Sequence, residues 1–250
     1  MPKPSIIAID GTSASGKSTI GGLLAQHLGY VFFDTGVMYR AVTWAALERG
    51  LPVDNNPEEI TRLSEKVIIS VELPHVSDGR LCTVLVDGKD VTWDIRKPEV
   101  DAAVSPVSAY EGVRKAMTTQ QRRIGLQGHI VMVGRDIGTV VLPEADLKIF
   151  MDATPEERAR RRYREMRGRG EKPKYKDVLA AIIRRDKYDS ERDVAPLSKA
   201  EDAIYLDTTG LSIEAVLAKV LALLEPAGDA QKLSRSSTEA ASVPPNRNRE

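Results

Sequence analysis

A chain of 250 residues with 42% apolar content can bury one or two hydrophobic cores and is far too apolar to be disordered throughout. Its 36 Lys and Arg balance its 36 Asp and Glu, which argues against a broad nucleic-acid-binding surface while permitting local basic clusters. One cysteine, Cys82, excludes an intrachain disulfide framework, and His27, His75 and His129 are too scattered for a zinc site. No apolar run approaches the length of a membrane span and the first residues lack a signal-peptide pattern, so a soluble, cytoplasmic protein is expected.

Residues 5–10 read as a buried strand, and Lys17 to Leu28 as a helix closed by Gly29. A short β-rich run, Tyr30 to Asp34, leads through Thr35-Gly36 into a helix whose apolar positions include Met38, Ala41, Val42 and Ala45, stopped by Gly50. Asn56-Pro57-Glu58-Glu59 is a helix start, with proline in the first turn and acids at the positive end of the dipole. Three short strands follow, Val67–Val71, Leu81–Val86 and Val91–Trp93, joined by turns at 77–80 and 87–88. They predict a small antiparallel insert over 67–93.

Helical patterning resumes from Lys97 to about Gly125. The apolar runs Ile130–Val133 and Leu147–Met151, the second interrupted only by Lys148, are expected of central strands covered on both faces. Helices are predicted at about 154–167 and 175–190, then a strand at Ala203–Leu206 and a helix at 212–224. Beyond Pro226 there is no aromatic residue and little aliphatic content, so 226–250 reads as a disordered tail. Strand–helix alternation predicts an α/β fold: a central parallel sheet wrapped by helices. The loops at 10–18, 34–40 and 134–138 should then line one cleft beyond the carboxyl ends of the strands.

Gly11-Thr12-Ser13-Ala14-Ser15-Gly16-Lys17-Ser18 satisfies the P-loop pattern between a strand and a helix, and Thr19 continues it. The glycines let backbone N–H groups turn inward onto phosphate oxygens, Lys17 reaches the β/γ-phosphates, and Ser18 offers a hydroxyl to Mg²⁺. A bound nucleoside triphosphate follows, but not what is done with it.

The arginines discriminate further. Arg40 follows Asp34-Thr35-Gly36 and Tyr39, and Arg114 lies on a helix. Arg135 and Asp136 end a buried strand in the loop facing the cleft, where a charge points to function. Residues 158–164 place Arg158, Arg160, Arg161, Arg162 and Arg164 on one helix, followed by Arg167-Gly168-Arg169-Gly170. A mobile basic lid over phosphates accounts for both the charge excess and the glycine hinges. Binding of RNA through the same helix is the competing reading. The mixed charges of 184–192 decide nothing alone.

Taken together, IAIDGTSASGKST, DTGVMYRAV, the insert, VSPVSAYEGVR, GRDIGTVVLPEADLKIFMDA, ERARRR and RRDKYDSERDVAPL resemble the bacterial cytidylate kinase family over about residues 5 to 224. The resemblance implies a P-loop kinase fold, with a nucleoside monophosphate kinase domain over 1–225, the insert in its monophosphate-binding region, and a lid at 154–172. It implies that Ser105, Arg114 and Asp136 face cytosine, that Arg185 and Asp189 hold the sugar hydroxyls, and that Arg40, Arg135 and Arg192 clamp the monophosphate with Thr35 and Tyr39 nearby. Arg158, Arg161 and Arg162 match the lid arginines, and with Lys17 and Arg135 form the expected catalytic set.

The reaction implied is ATP + CMP ⇌ ADP + CDP with Mg²⁺, dCMP serving as a second acceptor. With no long apolar stripe, heptad or membrane span in the sequence and a balanced charge, a monomer without membrane or nucleic-acid partners is expected. Asp34 is a candidate for assisting Mg²⁺. Two loop positions depart from the family's usual G-P-S-G-[AS]-G-K: Thr12 stands for proline and Ala14 for glycine. The alternatives are a kinase for another nucleoside monophosphate or for a small hydroxyl metabolite such as shikimate, with Asp34 as base, and a P-loop protein that regulates by binding RNA.

Overall fold

The computed structural model describes residues 3–72, 74 and 76–224. Five short strands form one wholly parallel sheet: β1 (Ile6–Gly11), β2 (Val31–Asp34), β6 (Ile130–Val133), β7 (Leu147–Asp152) and β8 (Ile204–Asp207), in the order β2-β6-β1-β7-β8. Strand β1 is therefore central, with Ile9 opposite both Val133 and Ile149.

Side-chain alternation sorts these strands onto two cores. Ile7, Ile9, Val131, Val133, Ile149 and Met151 pack beneath α1 (Lys17–Leu28) and α8 (Ile213–Ala222), meeting Ile20, Leu24, Val216 and Val220. Ala8, Phe33, Ile130 and Met132 face the opposite way, onto a larger core that draws on α2 (Gly36–Glu48), α3 (Pro57–Lys66), α4 (Pro98–Val107) and α5 (Glu111–Gly125). Helices α6 (Pro155–Gly168) and α7 (Tyr175–Glu191) share a small cluster of their own around Ala159, Val178 and Ile182.

The antiparallel sheet consists of β3 (Ile69–Glu72), β4 (Thr83–Val86) and β5 (Lys89–Asp90), all within 67–93. Asp87 and Gly88 both have positive φ, 50° and 81°, the turn that a right-twisted two-residue hairpin requires. The third strand differs from expectation: it is Lys89–Asp90 rather than 91–93. Beyond Asp90 the Val91 N–H still donates to the Val84 carbonyl at 2.9 Å, but the return bond from the Val84 N–H goes to the Thr92 hydroxyl at 2.9 Å, which donates in turn to Asp90 Oδ1 at 2.6 Å. The chain then enters a single tight turn at Asp94–Arg96.

The helical stretch from Lys97 to Gly125 is likewise two helices, interrupted at 108–110. Arg114 uses the break, its Nη1 donating to the Ser108 carbonyl at 3.0 Å. No helix among the described residues is long and apolar enough to cross a membrane. The tail expected to be disordered lies outside the described residues.

Candidate active site

Strand β1 leaves the sheet at Gly11, where a Cβ would sit 1.8 Å from the Met151 carbonyl oxygen, so only glycine fits. Helix α1 starts at Gly16 with no side-chain cap, and its first N–H groups stand free for an anion. Lys17 folds into the loop, its Nζ donating to the Thr12 carbonyl at 2.5 Å and to Ser15 Oγ at 3.3 Å. Burial, and then the neighbouring Arg135, push its ammonium well below the ordinary lysine range.

Both departures from the usual loop have visible consequences. Thr12 Oγ1 donates to Asp152 Oδ1 at 2.6 Å, tying the loop to β7 through a bond that proline cannot make. Ala14 adopts φ 59°, the left-handed region that disfavours a side chain. Ala14→Gly is expected to stabilise the fold by about 1 kcal/mol. A thermal melt should show a rise in Tm of about 2 °C, and an unchanged or lowered Tm would mean that the alanine is not strained.

At the end of β2, Ser18 Oγ donates to Asp34 Oδ2 at 2.6 Å, while Asp34 Oδ1 accepts from Gly36 N–H at 3.0 Å. Thr35 lies buried with its hydroxyl on the Val133 carbonyl at 3.0 Å, and Gly134 admits it: a Cβ there would be 2.7 Å from Thr35 Oγ1. One turn into α2, Arg40 donates to the Ile95 carbonyl at 3.0 Å and pairs with Asp101 at 2.5 Å.

Beyond β6, Arg135 Nε donates to Asp189 Oδ2 at 2.8 Å, and Arg185 Nε reaches Asp189 Oδ1 at 3.2 Å. Burial opposes ionisation of Asp189, but Arg135 and Arg185 override it and hold the carboxyl at about 2. Asp136 makes a short, buried ion pair with Arg114, whose guanidinium lies 5.4 Å from the Tyr39 ring centre. Arg192 Nη2 is 3.8 Å from the other oxygen of Asp136. Around this pair Arg114 Nε and Arg192 Nη2 are buried without hydrogen-bond partners. Such donors are costly to bury unmatched, so a ligand rich in acceptors would relieve them.

Asp10, the last buried side chain of β1 before the loop, braces this corner from behind. Its two oxygens accept from the Ile137 and Gly138 N–H groups, each at 2.7 Å, and fix the wide turn that follows Asp136. Burial raises its carboxyl to about 6 against those same hydrogen bonds.

Helix α6 supplies the three remaining arginines. Arg158 is buried, bidentate to Asp186 at 2.8 and 2.6 Å, and also donates to the carbonyls of Ala153 and Ser13. Arg161 Nη1 reaches the Ser15 carbonyl at 3.1 Å and Thr208 Oγ1 at 3.0 Å, placing its charge against the loop. Arg162 Nη2 pairs with Asp101 at 2.8 Å. Beside the loop, between β7, β8 and α7, a depression of about 430 Å³ is lined by Thr12, Asp152, Arg158, Asp186 and Asp207.

Hydrogen bonds and ion pairs gather the expected residues in separate groups: Ser18 with Asp34, Arg135 and Arg185 on Asp189, and Arg114 and Arg192 on Asp136, while Thr35 holds the Val133 carbonyl and Arg40 is tied to Asp101. Tyr39 falls beside Arg114, Ser105 is half-buried on α4, and Thr19 is exposed in the first turn of α1. Sequence reasoning missed Asp101, Asp152 and Asp186. Only the arginine excess on α6 could have signalled that distant carboxylates were needed to balance it.

The sequence profile of the cytidylate kinase family matches residues 7–226. A protein named cytidylate kinase from Herpetosiphon aurantiacus is 46% identical over 224 residues, covering 90% of this chain and 96% of that protein. One of the same name from Bacillus velezensis is 47% identical, covering 90% and 98%, and one from Chloroflexus aggregans is 49% identical, covering 88% and 94%. With the loop from Gly11 to Ser18 and the Arg135-Asp136 pair following β1 and β6 at the carboxyl edge of a parallel sheet, the chain belongs to the cytidylate kinase family.

Proposed function

We propose that the protein transfers the γ-phosphoryl group of ATP to CMP, and to dCMP, giving ADP and the corresponding diphosphate. The observation that carries the reading is the buried corner at Asp136. One of its oxygens is engaged by Arg114, while the other faces Arg192, among buried donors without partners. Cytosine supplies what that corner lacks. Its exocyclic amine can donate to the carboxylate, and its N3 and O2 can accept from the guanidiniums. Uracil would set a carbonyl against the carboxylate, which is penalised.

ATP phosphates fit the loop N–H groups and Lys17. Arg40, Arg135 and Arg192 take the acceptor phosphate, and Arg185 with Asp189 the sugar. Arg158, Arg161 and Arg162 act from the lid. A phosphate monoester is already anionic at neutral pH, so the reaction needs no strong general base. It needs cations to bring two polyanions together and to stabilise charge on the transferring group.

The Ser18 hydroxyl and the Asp34 carboxylate are hard oxygen donors, 2.6 Å apart, and suit Mg²⁺ held mainly by phosphates and water. When bound, Mg²⁺ neutralises the β/γ-phosphate charge. Closure of the lid would exclude water, which otherwise competes as acceptor.

A coupled assay of ADP release with CMP, dCMP, UMP, AMP, GMP and shikimate tests the assignment. CMP and dCMP should be the best acceptors. If UMP, a purine monophosphate or shikimate outperforms both, the reading of the Asp136 corner is wrong.

A further inference from the structure

Asp101 has no role in the proposed reaction, yet it stands between the arginines of the acceptor side and of the lid. It lies in the first turn of α4, its side chain about 29% exposed, and one helical turn before Ser105 on the same helix face. Its Oδ1 takes Arg40 Nη2 at 2.5 Å and its Oδ2 takes Arg162 Nη2 at 2.8 Å. Each carboxylate oxygen thus holds one arginine. One comes from the helix that follows β2, the other from α6, 61 residues away from Asp101 in the chain.

Neither arginine depends wholly on this contact. Arg40 keeps the Ile95 carbonyl at 3.0 Å, and Arg162 keeps Glu165 at 3.1 Å within its own helix. Those ties anchor each side chain locally. Among the described residues, Asp101 alone pairs with both, and it also offsets the repulsion of bringing both cations to one place.

We propose that Asp101 is a positioning residue that ties the lid arginine Arg162 to the acceptor-side arginine Arg40, so that filling one nucleotide site pre-organises the other. The proposal rests on the reading of Arg40 and Arg162 as phosphate ligands. With both oxygens occupied, Asp101 sets where the two guanidiniums stand relative to each other before phosphates arrive. Asn keeps the shape but puts an amide N–H₂ against one of the two guanidinium donors, so one side of the tie is lost.

The test is the affinity for CMP measured by calorimetry with and without saturating adenylyl imidodiphosphate and Mg²⁺, on the wild type, Asp101→Asn and Asp101→Glu, with CDP formation assayed on the wild type in parallel. In the wild type the analogue should tighten CMP binding about fivefold or more, within the usual range of coupling between sites. Asp101→Asn should reduce that ratio to below about twofold while lowering Tm by no more than about 2 °C, and Asp101→Glu, which keeps both oxygens, should restore most of it. A role confined to packing α4 would move Tm and leave the ratio alone. A wild-type ratio near one, or an Asp101→Asn ratio equal to the wild type's, overturns the proposal while CDP formation leaves the assigned reaction standing. Absence of CDP formation by the wild type removes the assigned reaction, and the proposal with it.

Discussion

Replacing Lys17 with Met is expected to lower kcat about a thousandfold, a loss of about 4 kcal/mol of transition-state stabilisation. The ammonium is held inside the loop by the Thr12 carbonyl and Ser15 Oγ, at the N-terminus of α1 where phosphates would lie. It therefore acts on charge that develops during transfer, which Met cannot match. The fold should survive the change, because the Lys17 side chain is already disfavoured in its charged form by burial. A buried thioether of similar length makes no such demand. Tm should fall by no more than a few degrees, roughly the effect of 1 kcal/mol. The KM for CMP should change little, since Lys17 has no contact with the Asp136 corner. A kcat within tenfold of wild type would remove Lys17 from the chemistry.

Asp136→Asn is the second large effect, and it acts on selectivity instead. The amide can donate where the carboxylate could only accept, so it tolerates the uracil carbonyl. The ratio of kcat/KM for CMP over UMP should fall at least a hundredfold, while KM for ATP stays within about threefold. The same substitution leaves Arg114 buried without its counterion, and breaking a buried pair from one side costs about 3–5 kcal/mol. A clear drop in Tm is therefore expected alongside the loss of selectivity. Equal damage to CMP and ATP kinetics, with the CMP/UMP ratio preserved, would take Asp136 out of base recognition.

The parts of this molecule that were legible in the sequence are those set by local patterning. Strands β1, β6 and β7 announce themselves as runs of apolar residues, broken in β7 only by Lys148, because both their faces are covered. The loop from Gly11 to Ser18 could be read because its chemistry is contiguous. The insert was visible through Asp87-Gly88, whose positive φ values its residue types allow.

What failed depended on side chains reaching across the chain. The third insert strand stops at Asp90 because the Thr92 hydroxyl captures Val84 N–H, a choice invisible in a β-rich triplet such as Val91-Thr92-Trp93. The break between α4 and α5 is hidden because apolar spacing continues through it. Asp101 and Asp186 look like solvated acids in sequence, since their arginine partners are 61 and 28 residues away. Ala14 shows the converse: its identity was plain, and only the backbone angle gave it meaning.

Every residue role assigned above serves one event, the movement of the γ-phosphoryl group from ATP to the phosphate of CMP and not to water. Phosphorus NMR of the purified protein with equimolar ATP, CMP and Mg²⁺ follows every phosphorus atom through that event. ADP and CDP should grow together in equal amounts to a balanced equilibrium, with no inorganic phosphate signal on that timescale. Release of ADP with inorganic phosphate, and no CDP resonance, would mean that water is the acceptor and that the protein is not a CMP kinase.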